Sequence, residues 1–96
     1  MESEVTVMKI TLSPLAEKKL KKLPKIDQIA IAQKIRSLEE EKKLLTAEKL
    51  QGYKNTYRIR IGNYRIVYRK FSNRIYIILI GHRKDIYEVL QRLLKG

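Results

Sequence analysis

From Val5 to Leu12 the residues alternate. Val5, Val7, Lys9 and Thr11 fall on one side and Thr6, Met8, Ile10 and Leu12 on the other, the period-two pattern of a first strand. Ser13-Pro14 then supplies a helix N-cap and a proline at the first helical position. Leu15, Leu20 and Leu23 give that helix an apolar side until Pro24 stops it. A second, longer helix is expected from Ile26 to about Lys43, with Ile26, Ile29, Ala30, Ile31, Ile35 and Leu38 as its buried positions. The Pro24 break should fold the pair into an antiparallel hairpin. Leu44 to Asn55 is a connector with weak signals.

Three strand patterns follow. Thr56 to Ile61 sets Tyr57, Ile59 and Ile61 against Arg58 and Arg60. Gly62-Asn63 is a two-residue turn of the kind that closes a hairpin, and Tyr64 to Phe71 is the returning strand. Ser72-Asn73 turns the chain into Arg74 to Ile80, whose isoleucines suggest a central strand buried on both faces. Ile86 to Leu94 closes the chain as a short helix behind Asp85. The order β-α-α-β-β-β-α predicts a small α+β fold, an antiparallel sheet with the N-terminal helical hairpin packed on one face. The opposite face is left for function.

Length and composition narrow this further. Ninety-six residues make one domain, 1–96, with a modest core. Cysteine is absent, which rules out disulfides and thiolate metal sites and fits a reducing cytoplasm. The longest apolar run, Ile75 to Gly81, is far too short to cross a bilayer, so no membrane partner is expected. Met1-Glu2-Ser3-Glu4 lacks the basic start of a signal peptide.

Charge changes the picture most. Met1 to Gly52 carries 11 basic and 8 acidic residues, whereas Tyr53 to Gly96 carries 11 basic and 2 acidic. The last 44 residues therefore hold +9 of the net +12, mostly as arginine, which points to a polyanionic partner: nucleic acid or an acidic protein segment. The lysines of the first helix read instead as a solubilising surface.

All seven aromatic residues lie between Tyr53 and Tyr87, interleaved with Lys54, Arg58, Arg60, Arg65, Arg69, Lys70, Arg74, Arg83 and Lys84. Rings can stack on unpaired bases while guanidinium groups fork onto phosphates, a combination suited to RNA. Any single tyrosine is better explained by strand preference; the crowd of arginines is not, because like charges without acids are costly to pack. Metal-assisted hydrolysis lacks ligands, since His82 is the only histidine and Asp85 and Glu88 the only acids of this half. Serine or cysteine triads and two-histidine ribonuclease chemistry are equally unsupported. What remains is metal-free cleavage in which RNA supplies its own 2′-hydroxyl. Arginines can align and stabilise that reaction. Proton transfer falls to His82, a tyrosine or a lysine, because guanidinium stays protonated.

Lys49-Leu50-Gln51-Gly52-Tyr53, then Tyr57-Arg58-Ile59-Arg60-Ile61-Gly62-Asn63-Tyr64-Arg65-Ile66-Val67-Tyr68, then Ile80-Gly81-His82-Arg83-Lys84-Asp85-Ile86-Tyr87 together resemble the RelE/ParE toxin superfamily. The resemblance runs from Lys9 onward, and a start at Met8 suits it, which makes residues 1–7 a leader. It implies a toxin of a type II toxin–antitoxin system: a metal- and cofactor-independent, ribosome-dependent endoribonuclease that cuts mRNA in the A site and halts translation. Arg65 matches the arginine that holds the scissile phosphate, and Arg83 a second one that stabilises the transition state. Tyr87 matches the C-terminal tyrosine that stacks on a base or assists proton transfer, at a shorter separation from Arg83 than usual. Arg58 and Arg60 stand where RelE ribonucleases carry lysines, preserving charge but removing an ionisable amine. Lys54 and Lys84 extend the RNA-binding surface, and His82 serves there as a packing or hydrogen-bonding residue. The implied partners are the ribosome with its mRNA and a RelB-like antitoxin bound as a hetero-oligomer. ParE-like gyrase inhibition without catalysis, or a degenerate toxin that only binds its antitoxin, are the alternatives.

Overall fold

A computed structural model describes residues 8–40 and 47–94 of the chain. The elements run β1 (Lys9–Leu12), α1 (Pro14–Lys21), α2 (Lys25–Ser37), β2 (Glu48–Lys49), β3 (Thr56–Ile61), β4 (Tyr64–Phe71), β5 (Arg74–His82) and α3 (Ile86–Leu94). They build one five-stranded sheet in the order β1-β5-β4-β3-β2. The antiparallel character holds for β2 through β5, but β1 pairs with β5 in parallel, so the sheet is mixed. Residues 1–7, expected as a leader and from Val5 as the start of the first strand, lie outside the described residues.

Ser13 starts α1 as anticipated, its Oγ accepting from Ala16 N at 3.0 Å. The same hydroxyl donates to Ile78 O at 2.7 Å, and Ser13 N donates to Ile77 O at 2.8 Å. These bonds land where β4 and β5 slip register between Val67 and Tyr68, with Val67 opposite Leu79 and Tyr68 opposite Ile77. Ile78 is thus the extra residue of a bulge, and Ser13 satisfies a carbonyl that the ladder leaves free.

The second helix differs from its expectation. It ends at Ser37 with Leu38 as its C-cap, and the expected extension through residues 41–43 lies outside the described residues. Ile31, Ile35 and Leu38 are buried, whereas Ile26 is 79% exposed, Ile29 48% exposed and Ala30 exposed. The buried three follow the i, i+4, i+7 stripe; the other three fall on the opposite side of the helix.

The helices also occupy both faces of the sheet rather than one. Ala16 of α1 and Ile31, Ile35 and Leu38 join Ile59, Ile66, Tyr68, Ile75, Ile77 and Ile80 in the larger core cluster. On the reverse face, Ile86 and Leu90 of α3 pack on Val67, Ile78 and Leu79. The Ile78 bulge lets this run of apolar residues feed both clusters. What stays open on the reverse face is the sheet to either side of α3.

Candidate functional site

Strand alternation decides which side chains meet. In the β3–β4 ladder Tyr57 faces Tyr68 and Ile59 faces Ile66, and these four join the helix-side core. The intervening pairs, Arg58 with Val67 and Arg60 with Arg65, therefore point to the reverse face. Like charges directly opposite each other destabilise a sheet, and Arg60 opposite Arg65 is such a pair. A local rule broken without compensation is a mark of function.

Arg65 lies deepest in this cluster, only 8% exposed. Its Nη1 donates to Tyr64 O at 3.0 Å and Gly62 O at 3.3 Å, so the hairpin turn aims the guanidinium. Gly62 takes φ 54°, in the left-handed region that glycine enters at little cost, which lets the turn close tightly. Burial, then the charges of Arg60, Arg58 and Arg83, push the Arg65 guanidinium below its ordinary pKa, and Glu48 acts weakly in the opposite sense. An arginine remains protonated under such a shift, so the result is a concentrated positive field.

Arg83 follows β5 and is exposed. Its backbone N–H donates to Asn63 O at 2.8 Å, tying the turn after β5 to the tip of the β3–β4 hairpin. His82 and Lys84 flank it. The His82 ring meets Tyr64 edge-on at 5.9 Å, and its Nδ1 accepts from Lys84 N at 3.2 Å. Those contacts make His82 a packing residue of the turn, and a neutral ring would carry its proton on Nε2.

Tyr87, on the first turn of α3, reaches the cluster through Arg58. The Arg58 Nη1 donates to the Tyr87 hydroxyl. The guanidinium carbon lies 5.5 Å from the ring centroid, at the hydroxyl end, leaving the faces of the ring uncovered by it. Arg58 is further held by Glu48, whose Oε1 accepts from Nε at 2.8 Å and lies 2.7 Å from Nη2. The structure thus brings Arg58, Arg60, Arg65, Arg83 and Tyr87 together. It places Lys54 in the loop before β3, beyond the opposite end of that strand from Arg60.

Glu48 is the residue that sequence reasoning missed. It sits in the connector, and nothing in that stretch announces a strand. Only when β2 pairs with β3 does Glu48 stand opposite Arg58. Among the described residues no group of three or more His, Asp or Glu side chains converges as a metal site would require. The geometry gathers positive charge around a buried Arg65, with Arg60 and Arg83 exposed beside it and one phenol hydrogen-bonded at the margin.

Comparison with known proteins adds the lineage. The model of the ParE toxin family of type II toxin–antitoxin systems, parDE, matches residues 10–87. Toxin RelE3 of Methanocaldococcus jannaschii is 46% identical over 44 residues, 46% of this chain and 50% of that protein, so the match spans half the length of that curated relative. The RelB–RelE antitoxin–toxin complex from Methanococcus jannaschii superposes with a TM-score of 0.68 at 31% identity, covering 81% of this chain and 95% of that one. A free mutant of the E. coli toxin RelE gives a TM-score of 0.72 at 22% identity, over 92% of this chain and 99% of that one, a likeness of fold.

Proposed function

This chain belongs to the RelE/ParE superfamily of toxins from type II toxin–antitoxin systems, and on that footing we propose that it is a metal-independent endoribonuclease that cuts mRNA in the ribosomal A site. The observation that carries this reading is Arg65: buried, aimed by two turn carbonyls, free of an ion pair among the described residues, and ringed by Arg58, Arg60 and Arg83. A single-stranded phosphodiester seated there accepts hydrogen bonds from Arg65. Its 2′-hydroxyl attacks the adjacent phosphorus, the 2′-oxygen–phosphorus bond forms as the bond to the 5′-oxygen breaks, and the products end in a 2′,3′-cyclic phosphate and a 5′-hydroxyl. One proton leaves the 2′-hydroxyl and one reaches the departing oxygen. The pentacoordinate transition state carries more negative charge than the substrate, and Arg83 with Arg65 stabilises that increment. The Tyr87 phenol, held by Arg58, stacks on the neighbouring base or relays a proton. Arg60 holds a flanking phosphate and Arg58 a second once Glu48 releases it, with Lys84 at the edge of the RNA surface; Lys54, at the far end of β3, and His82, packed on Tyr64 of the helix side, stand outside it.

The protein acts in the cytoplasm, and its partners are the ribosome with bound mRNA and an acidic RelB-like antitoxin. RelB–RelE complexes among its structural neighbours support the latter, as does the +9 excess of the C-terminal half. Mapping mRNA ends in the presence of ribosomes is the decisive experiment. Codon-positioned cuts are expected with the native protein, and none with Arg65→Ala or Arg83→Ala. Full toxicity in both variants would overturn the assignment.

A second reading is ParE-like inhibition of gyrase without catalysis. It is favoured by arginine in place of lysine at Arg58 and Arg60, and by the Glu48 ion pair that occupies Arg58. Growth arrest with DNA-damage signalling and intact mRNA would select it, and no arrest at all would mark a toxin that only binds its antitoxin.

A further inference from the structure

Tyr64 serves both faces of the sheet. Its ring lies on the helix side, against the larger core cluster, while its backbone carbonyl accepts from the Arg65 Nη1, as does that of Gly62. A shift of the Tyr64 backbone therefore moves the guanidinium that it aims. Two contacts fix the ring. Its hydroxyl donates to Asp27 Oδ2 at 3.0 Å across 37 positions of sequence, and its edge meets His82, its opposite number in the β4–β5 ladder, at 5.9 Å. Asp27 stands in the first turn of α2, where the helix dipole favours a carboxylate. The adjoining Gln28 Nε2 donates to Lys21 O and Leu23 O, each at 3.0 Å, which locks that turn to the end of α1. His82 carries the link onward, because the next residue is Arg83, whose backbone N–H donates to Asn63 O at 2.8 Å. One ring thus stands behind both arginines. Packing alone does not hold it: a cleft of about 250 Å³ opens beside it, lined by Leu23, Ile80, His82 and Ile86 among others, so a phenol released from Asp27 has room to swing.

We propose that Asp27 and Tyr64 are positioning residues for the cleavage site, a strut from α2 through the sheet that sets where Arg65 and, by way of His82, Arg83 stand. Its catalytic consequence rests on the nuclease reading above. The need for a strut follows from the charge. Arg65 lies opposite Arg60 and is repelled by Arg58, Arg60 and Arg83, so a guanidinium in a loose cradle drifts away from its neighbours. An acid placed beside Arg65 would stop that drift but would compete with the phosphate for the same hydrogen bonds. A carboxylate on the opposite face, acting through a phenol and a backbone carbonyl, holds the arginine without neutralising it, which is the preorganisation that stabilising a transition state demands. Tyr64 is suited to the task, since the Asp27 carboxylate that accepts its proton, then burial, push the phenol above its ordinary pKa and keep the donor in place.

The test is single-turnover cleavage of ribosome-bound mRNA at saturating protein. There a misplaced arginine lowers the rate constant, whereas an unfolded fraction raises only the protein needed for saturation. Tyr64→Phe and Asp27→Ala should each slow the step by about 10–100-fold, the scale of a small misplacement, with little change in the half-saturating concentration. The double variant should be no slower than the slower single, because both remove the same contact. Asp27→Asn keeps an acceptor oxygen and should restore most of the rate. A second readout needs no substrate: in NMR spectra of the free protein the Arg65 guanidinium should rotate slowly in the native chain and in Asp27→Asn, and quickly in Tyr64→Phe and Asp27→Ala. Native rate constants in Tyr64→Phe and Asp27→Ala overturn the proposal, as does a double variant whose loss is the product of the two single losses. A native chain that cuts no mRNA fails the nuclease reading instead. The guanidinium signals then decide the strut alone, slow rotation in both variants overturning it and fast rotation sustaining it.

Discussion

On the side of the sheet covered by α1 and α2, β3 and β4 present Tyr57, Ile59, Tyr64, Ile66 and Tyr68; on the side of α3 they present Arg58, Arg60, Arg65, Val67 and Arg69. Both sets come from the same two strands. On the first face the phenols are structural: Tyr57 stacks on Tyr68 with centroids 5.5 Å apart, and the Tyr64 hydroxyl donates to Asp27 Oδ2 at 3.0 Å. On the second, guanidinium groups crowd together with Glu48 as the one acid among the described residues paired to them. Within β3 and β4, tyrosines and arginines that alternate in sequence are therefore separated in space; Tyr53 and Tyr76 pack in the cluster under α3, and Tyr87 stands beside Arg58. The helix-side face carries the larger core cluster, while the other face sets unfavourable positive charge beside the smaller one.

The largest effects should expose that division. Tyr68→Ala removes a side chain that is 1% exposed and should cost about 3–5 kcal/mol in denaturant unfolding. Its catalytic rate should be native wherever the protein stays folded. Arg65→Ala should lower cleavage by about 10²–10³ while removing a like-charge contact with Arg60, so its unfolding midpoint should hold or rise. If Arg65→Ala unfolds the protein as Tyr68→Ala does, the division between the faces is wrong.

Ser13→Ala comes next. The hydroxyl caps α1 and also satisfies the Ile78 carbonyl at the bulge, so its removal should cost about 1–3 kcal/mol, more than an isolated cap on the surface. A loss of only a few tenths would mean that the bulge needs no support from α1.

A pH experiment separates the faces in another way. Burial, and to a lesser degree the neighbouring Tyr57, push the Tyr68 phenol well above its ordinary 10.0. Below pH 10 both folded and unfolded chains keep this proton, and it contributes no pH dependence. Above that, the unfolded chain releases the proton while the folded one retains it, so stability falls as pH rises, by up to about 1.4 kcal/mol per pH unit. Tyr68→Phe should remove this part of the alkaline loss, read as the difference between the two unfolding curves. Parallel curves from pH 9 to 12 would contradict it.

Where the pattern was read by period, the elements came out correctly: β3, β4 and the Gly62 turn stand where alternation and turn chemistry put them. Residue type without phase misled, since Ile26, Ile29 and Ala30 are apolar but lie off the stripe that Ile31, Ile35 and Leu38 define. The placement of α3 was illegible for a different reason. A run of isoleucines from 75 to 80 hides the parity break at Ile78, and the amphipathic pattern of a helix does not say which face of a sheet it covers. The arginines of the site were legible as residues, and their convergence followed from the strand pattern. The Glu48–Arg58 pair was not, because β2 is two residues long and carries no apolar alternation.

The smallest expected effect tests whether Glu48 belongs to the helix-side economy of stability or to the arginine face. Its carboxylate is exposed and its ion pair with Arg58 runs from the edge strand β2 to β3, so Glu48→Gln should leave the unfolding curve nearly unchanged. What should change is recognition. With the carboxylate gone, Arg58 is released to a phosphate, and the salt dependence of ribosome binding should steepen by about 0.7–0.9, the contribution of one phosphate contact. Arg58→Gln should shift the slope little in the native background, where Glu48 already occupies that guanidinium, and by one full contact in the Glu48→Gln background. Equal effects of Arg58→Gln in both backgrounds would show that RNA displaces Glu48 unaided, and that the pair does not restrain the site.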